Sequence, residues 1–267
     1  MISSHLFDLP CLVVVLSAVV GSLISSGKNI EQFLRLSALL CLPVGIIGAQ
    51  IGWIKMLSDM TDPSAFGPAS SVATLPVLYA FILLPVFLAL GSRCSSSSDE
   101  IWNKPLLDIF KLAGGFGFIS LILLAAMIWK SNLVNFISIP AILCVSLLVL
   151  LPTMLHGKHK TEGSRFLSRC IAARDYSILG TISASLIGGV GLLRGLDDPT
   201  TIGPNMAMIL LSSLYCGLIL IGSTMAYQVF ARKEIPNALS IIIGYVGISI
   251  LNILLMNTVI LWTFSEF

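Results

Sequence analysis

Long apolar runs separated by short polar or turn-forming stretches dominate this chain. Eight of them, roughly 9–26, 36–57, 70–91, 109–129, 135–155, 177–194, 204–229 and 237–263, approach or exceed the length of about 20 residues that a membrane-spanning helix needs. Runs such as Ile137 to Leu151 lack the regular polar-apolar alternation of a barrel strand, so the pattern predicts helices. The opening stretch carries Asp8, no Lys or Arg before its apolar part and no A-x-A cleavage pattern after it. It therefore reads as a first membrane helix and not as a cleaved signal.

Composition points the same way. Of 267 residues, 56% are hydrophobic and only 10% charged, with a mean hydropathy of +0.98, which is too apolar for one water-soluble core. The expected fold is all-α, a polytopic helical membrane protein of about eight transmembrane helices with the lipid bilayer as its solvent. A net charge of +2 is too small and too evenly balanced for a nucleic-acid surface. Cysteines at 11, 41, 94, 144, 170 and 216 lack close CxxC spacing and read as small buried or lipid-facing residues.

The distribution of positive charge sets an expected orientation. One set of alternate loops holds Lys28, Arg35, Arg93, Lys104, Lys111, Lys158, Lys160, Arg165, Arg169, Arg174, Arg232 and Lys233, and the other only Lys55, Lys130 and Arg194. The richer side is expected to face the cytoplasm. Both termini, and the acidic turns around Asp59, Asp62, Asp197 and Asp198, are then expected outside.

The chain also reads as an internal duplication. Thr61-Asp-Pro-Ser-Ala-Phe-Gly-Pro68 matches Asp197-Asp-Pro-Thr-Thr-Ile-Gly-Pro204, an offset of 198 − 62 = 136. The same offset pairs Ile51 and Gly52 with Ile187 and Gly188, Leu57 with Leu193, Leu78 with Leu214 and Tyr79 with Tyr215. Phe7-Asp-Leu-Pro10 and Phe136-Ile-Ser-Ile-Pro140 open similar apolar helices upstream. An even number of helices separates equivalent positions, so the two copies share one orientation. The expected division is a first repeat over 1–93 with three spans, a Ser-rich linker over 94–108, a second repeat over 109–230 with four spans, and an extra C-terminal helix over 231–267.

Asp62, Pro63, Gly67 and Pro68 in one copy, and Asp198, Pro199, Gly203 and Pro204 in the other, have the composition of a tight turn between antiparallel membrane helices. The first proline cannot continue the outgoing helix, and the second suits the opening turn of the returning one. Gly52, Gly188, Tyr79 and Tyr215 are expected helix-packing positions.

Leu186-Ile-Gly-Gly-Val-Gly-Leu-Leu, then Leu196-Asp-Asp-Pro-Thr-Thr-Ile-Gly-Pro-Asn-Met-Ala, then Leu211-Ser-Ser-Leu-Tyr resemble the third and fourth transmembrane helices of the flagellar stator protein MotA, in the MotA/TolQ/ExbB superfamily. Phe136-Ile-Ser-Ile-Pro-Ala-Ile-Leu resembles the start of that family's second helix. The resemblance implies a bacterial inner-membrane subunit of a proton- or sodium-driven channel or stator complex, with no enzymatic activity and no cofactor. It further implies homo- or hetero-oligomers around a MotB- or ExbD-like single-span partner whose aspartate carries the ion. By the same resemblance, Ser185, Ser212 and Ser213 occupy positions where hydroxyls line the ion path. Read without it, serines in membrane helices more often serve close packing or bond a neighbouring carbonyl.

This sequence departs from the family in several places. The first copy has Ala49, Pro76 and Val77 where the second has Ser185, Ser212 and Ser213, and Ile178 and Ala226 stand where the family has prolines. The segment that bears rotor-contacting charges in the family shrinks here to His156 through Tyr176. No Asp, Glu, Lys or Arg is expected deep in a span, so a titrating group would have to come from another chain. Gln50 is the most polar deep side chain of the first copy, and packing explains it as readily as ion binding. His156, Lys158, His159 and Lys160 read as an interfacial basic loop, and no metal site is expected. A non-conducting scaffold or assembly factor derived from such a subunit is the alternative, and a small-solute transporter has only the parallel repeat in its favour. With two repeats per chain, a ring with an even number of hairpins or a mixed complex is expected.

Overall fold

The computed structural model describes residues 8–27, 29–59, 66–93, 105–129, 131–156, 162–194, 199–231 and 237–265, and among these it contains helices and no strands. Eight stretches of the described residues are long and apolar enough to cross a membrane. The chain is an all-α polytopic membrane protein. Asp197, Asp198, Asp62, Pro63, Lys158 and His159, and most of the Ser-rich linker, lie outside the described residues.

The first helix, α1 (Leu9–Ser26), starts where the Asp8 carboxylate accepts from the backbone N–H of Cys11 at 3.2 Å, with Pro10 in its first turn. It stops at Gly27, whose φ of 63° an L side chain would resist and whose N–H closes on the Leu23 carbonyl. Next come α2 (Ile30–Asp59), α3 (Phe66–Arg93) and α4 (Pro105–Ile128). A fifth span runs from Leu133 to Leu155. Sequence predicts it as one helix, but it consists of a short 3-10 turn, α5 (Ile139–Val145), a π turn (Ser146–Leu150) and α6 (Leu151–Leu155). Pro152 explains the break, because its ring crowds the preceding turn and its nitrogen has no hydrogen to donate. Thr153 Oγ1 donates to the Val149 carbonyl at 2.6 Å, so the hydroxyl is satisfied by its own helix and needs nothing from lipid.

The remaining helices are α7 (Glu162–Arg194), α8 (Pro199–Ala231) and α9 (Ala238–Ser265). Their spans agree with the hydropathy reading, but α7 begins well before its expected start at 177. The segment from Glu162 to Tyr176 is helical and continuous with the span. Helix formation there needs only local hydrogen bonds, whereas hydropathy reports only the part that suits lipid.

Long helical hairpins organise the bundle: α2 lies along α3, and α7 along α8. Helix α2 is buried along most of its length and α8 along two-thirds of it. The two meet in the centre, where Leu36, Leu40, Val44, Ile47 and Trp53 of α2 share one core with Met206, Leu210, Leu214 and Ile221 of α8. Lipid tails are as apolar as these side chains, so close approach and polar matching, more than water exclusion, select which helices pair. Close approach is visible where a Cβ added at Gly52 would come within 2.9 Å of Ala73 on α3, and one at Gly188 within 2.4 Å of Ile209 on α8. These two contacts are themselves separated by the sequence offset, 188 − 52 = 136 and 209 − 73 = 136.

Helix α4 falls within the stretch expected from the sequence to be the second repeat, and it packs most extensively on α1. A Cβ at Gly115 would strike the Ser25 hydroxyl and the Gly21 carbonyl. Its far end is held by Lys55 of α2, whose ammonium donates to the carbonyls of Ala126 and Trp129, the latter at 2.6 Å. A cation at a helix C-terminus answers both the orphaned carbonyls and the helix dipole.

Candidate functional site

The three serines marked by the resemblance lie on the second hairpin. Ser185 is half-buried on α7, and Ser212 and Ser213 are fully buried on α8. Ser185 Oγ donates to the carbonyl of Thr181 at 2.6 Å, the Thr181 hydroxyl to Ser177 at 2.8 Å, and the Ser177 hydroxyl to Ala173 at 2.6 Å. Residues 177, 181 and 185 thus form a hydroxyl stripe along one face of α7. Each oxygen retains lone pairs after bonding back to its own helix.

Ser213 joins three helices. Its Oγ accepts from Gln50 Nε2 of α2 at 2.7 Å and lies 3.1 Å from Ser249 Oγ of α9. Its backbone carbonyl accepts from the Tyr245 hydroxyl, also of α9, at 3.0 Å. Gly217, one turn along α8, makes room for that phenol, since a Cβ there would lie 2.2 Å from it. Ser185 in turn accepts from Asn252 Nδ2 of α9 at 2.7 Å. Gln50, Ser213, Ser249 and Asn252 are each at most 5% exposed. Gln50 Oε1 and Ser212 Oγ are buried without a hydrogen-bond partner among the described residues, which leaves one acceptor and one hydroxyl with unused capacity.

This cluster is electrically neutral. Along α7 the nearest charged residues to Ser185 are Asp175 and Arg194, ten and nine positions away, or about 15 and 14 Å at a helical rise of about 1.5 Å per residue. Helices α8 and α9 carry no charged residue at all. Such a set of amides and hydroxyls can accept from a protonated carboxyl, donate to an ionised one, or coordinate a cation through oxygen, at little desolvation cost. It cannot by itself take up and release a proton near neutral pH. Among the described residues no group of three or more His, Cys, Asp or Glu side chains could hold a metal ion.

The first hairpin presents a different face. Ala49 and Pro76 are buried and Val77 is half-buried at the positions that the sequence offset of 136 pairs with Ser185, Ser212 and Ser213. Gln50, the neighbour of Ala49, supplies the polar group and directs it across to Ser213 of the second hairpin.

Of the other positions singled out from the sequence, Tyr79 and Tyr215 do matching work. The Tyr215 hydroxyl donates to the Phe136 carbonyl at 2.6 Å and accepts from the Ser138 N–H at 3.4 Å. The Tyr79 oxygen accepts from the Asp8 N–H at 3.1 Å. Asp8 and Ser138 are the N-cap residues of α1 and α5, so each tyrosine ties the return helix of a hairpin to the start of another helix. Gly67 and Pro68 open α3, and Pro199, Gly203 and Pro204 open α8. Among the described residues, nothing lies within 4 Å of a Cβ added at Gly67 or Gly203. Their turn partners Asp62, Pro63 and Asp198 are outside the described residues.

Sequence reading did not single out Thr181, Ser177, Tyr245, Ser249 or Asn252. The first two carried a signal, a spacing of four residues that puts them under Ser185. Tyr245, Ser249 and Asn252 also share a helical face at i, i+4 and i+7, but nothing local says what that face meets.

No family model and no solved structure matches this chain. It is similar to chemotaxis protein PomA of Vibrio alginolyticus, 43% identical over 66 residues, which is 24% of this chain and 26% of that one. Motility protein A of Cereibacter sphaeroides is 36% identical over 66 residues, again 24% and 26% of the two chains. Motility protein A of Aquifex aeolicus is 49% identical over 56 residues, 21% of this chain and 22% of its own. The chain thus matches about a quarter of the length of these curated relatives, and over that segment the resemblance to MotA is real.

Proposed function

We propose that the chain is a MotA-like integral membrane subunit of a proton- or sodium-driven complex, acting with a single-span partner that supplies the titrating carboxylate. The observation that carries this reading is the neutral hydroxyl and amide cluster around Ser185, Ser212 and Ser213. It is polar enough to receive an ion-carrying carboxyl at mid-membrane and has no group of its own that titrates near neutral pH. The local similarity to chemotaxis and motility proteins supports it. In this reading the two hairpins are copies of one ancestral unit, the second keeps the path and the first supports it. The protein lies in a bacterial cytoplasmic membrane with both termini outside, and two hairpins per chain favour rings with an even number of hairpins or mixed complexes.

Affinity purification from native membranes with mass spectrometry tests the reading. Recovery of a single-span protein with an intramembrane aspartate is expected, and Ser185→Ala or Ser213→Ala is expected to lower ion flux through the reconstituted complex several-fold. A complex that retains full flux without those hydroxyls rules out their role, and purification of the chain without any single-span protein rules out the partner. A second reading, a non-conducting scaffold derived from such a subunit, is favoured by one observation: Ala49, Pro76 and Val77 leave the first hairpin without the corresponding hydroxyls.

A further inference from the structure

Helix α9 has no counterpart in the repeat, and through its middle it carries polar groups at 245, 249 and 252 on one face; its other polar residues, Ser240, Asn257, Thr258, Thr263 and Ser265, lie towards its two ends. All three are spent on the second hairpin: Tyr245 on the Ser213 carbonyl, Ser249 on the Ser213 hydroxyl and Asn252 on the Ser185 hydroxyl. The same helix packs against α2, α7 and α8, so it covers the place where the two hairpins meet. Apolar residues Ile242, Val246, Ile253 and Met256 fill the same side and are buried. In lipid, the Asn252 amide and the Tyr245 phenol would be left without partners if they faced the wrong way, whereas a serine can bond back to its own helix, so it is the match of Asn252 and Tyr245 that selects the rotation and the depth of α9.

We propose that α9 is a resident occupant of the ion-path face: it holds, within the same chain, the position on Ser185 and Ser213 that a separate ion-carrying helix needs, with neutral Asn252 where that helix would bring a carboxylate. This inference rests on the functional reading above, since it gives that face its meaning. Its consequence is that an incoming partner and α9 exclude one another. A partner reaches Ser185 only by breaking the Asn252 and Ser249 contacts, and while α9 stays seated the path has no group able to carry a proton.

A covalent lock tests this in the full chain. The oxygens of Ser213 and Ser249 are 3.1 Å apart, so sulfurs in Ser213→Cys with Ser249→Cys need only a small rotamer change to reach the disulfide length of about 2.05 Å. The pair is oxidised in native membranes, and the linked peptide is identified by mass. An intrachain link in most copies is expected, with recovery of single-span aspartate-bearing proteins at least about ten-fold lower from locked than from reduced chain. Failure of the link to form within one chain overturns the proposal, as does equal partner recovery from locked and reduced protein. If the link forms and no single-span protein is recovered in either state, α9 is the permanent occupant and it is the partner-dependent function that fails. Should the double variant not accumulate, Ser185→Cys alone reports the same thing. Its labelling by a small thiol reagent is expected to rise at least about ten-fold when Asn252→Leu and Ser249→Leu loosen α9, and unchanged labelling overturns the proposal.

Discussion

Gln50 on α2 donates through Nε2 to the hydroxyl of Ser213 on α8 at 2.7 Å, and this bond joins the two halves of the chain at the centre of the bundle. Both side chains are 1% exposed, so neither has water as an alternative partner. Gln50→Leu and Ser213→Ala, combined in a double-mutant cycle followed by chemical or thermal unfolding in bilayer mimetics, should therefore show coupling. Polar pairs between membrane helices average about 0.6 kcal/mol and reach about 1.7 kcal/mol, because the separated helices also find partners. A value near zero would mean that the two halves associate by shape alone.

Gly217 and Tyr245 make a sharper prediction. A methyl added at Gly217 would meet the phenol oxygen at 2.2 Å and its carbon at 2.9 Å, and overpacking of this kind costs about 1–3 kcal/mol. Gly217→Ala should lower the unfolding midpoint, and adding Tyr245→Phe should restore part of the loss by removing the nearer atom. No restoration would place the strain elsewhere, for example at Ile47, whose Cδ1 is 3.1 Å from the same position.

Tyr79 and Tyr215 should behave as a pair of independent ties. Removing either hydroxyl by Tyr→Phe takes away one or two bonds to backbone, worth about 0.5–1.5 kcal/mol each. Tyr79 is on α3 and Tyr215 on α8, and they tie different helix starts, so the double variant should lose the sum of the single losses. Thermal stability of the purified protein reads this directly, and an effect confined to Tyr215 would show that the Asp8 tie is dispensable.

Lys55→Met should fray the end of α4 without disturbing its middle. The ammonium bonds the carbonyls of Ala126 and Trp129, and bonds to charged groups contribute about 1.5–3 kcal/mol, less at a partly exposed site. Hydrogen exchange should accelerate at the amides just before Trp129 and stay slow around Ile119, while Lys55→Arg should keep most of the protection. Uniform acceleration along α4 would instead make Lys55 a determinant of the whole α1–α4 contact.

The sequence by itself determined the class of the protein and the number of its spans. Hydropathy is a property of each segment alone, and lipid imposes the same length requirement on every one of them. Gly52 and Gly188, or Tyr79 and Tyr215, could be matched at one offset before any contact was known. Where local chemistry overrode hydropathy, as at Pro152 and in the helical extension before Tyr176, the sequence reading missed the break and the true start. Only the tertiary structure decided that α4 lies on α1, that Gln50 reaches Ser213, and that α9 brings Tyr245, Ser249 and Asn252 to the serines of the second hairpin. Inside a membrane every apolar helix face is equally content with lipid. Which faces meet is set by close-fitting glycines and by buried polar groups that must find one another, and that matching exists only between helices and not within any one of them.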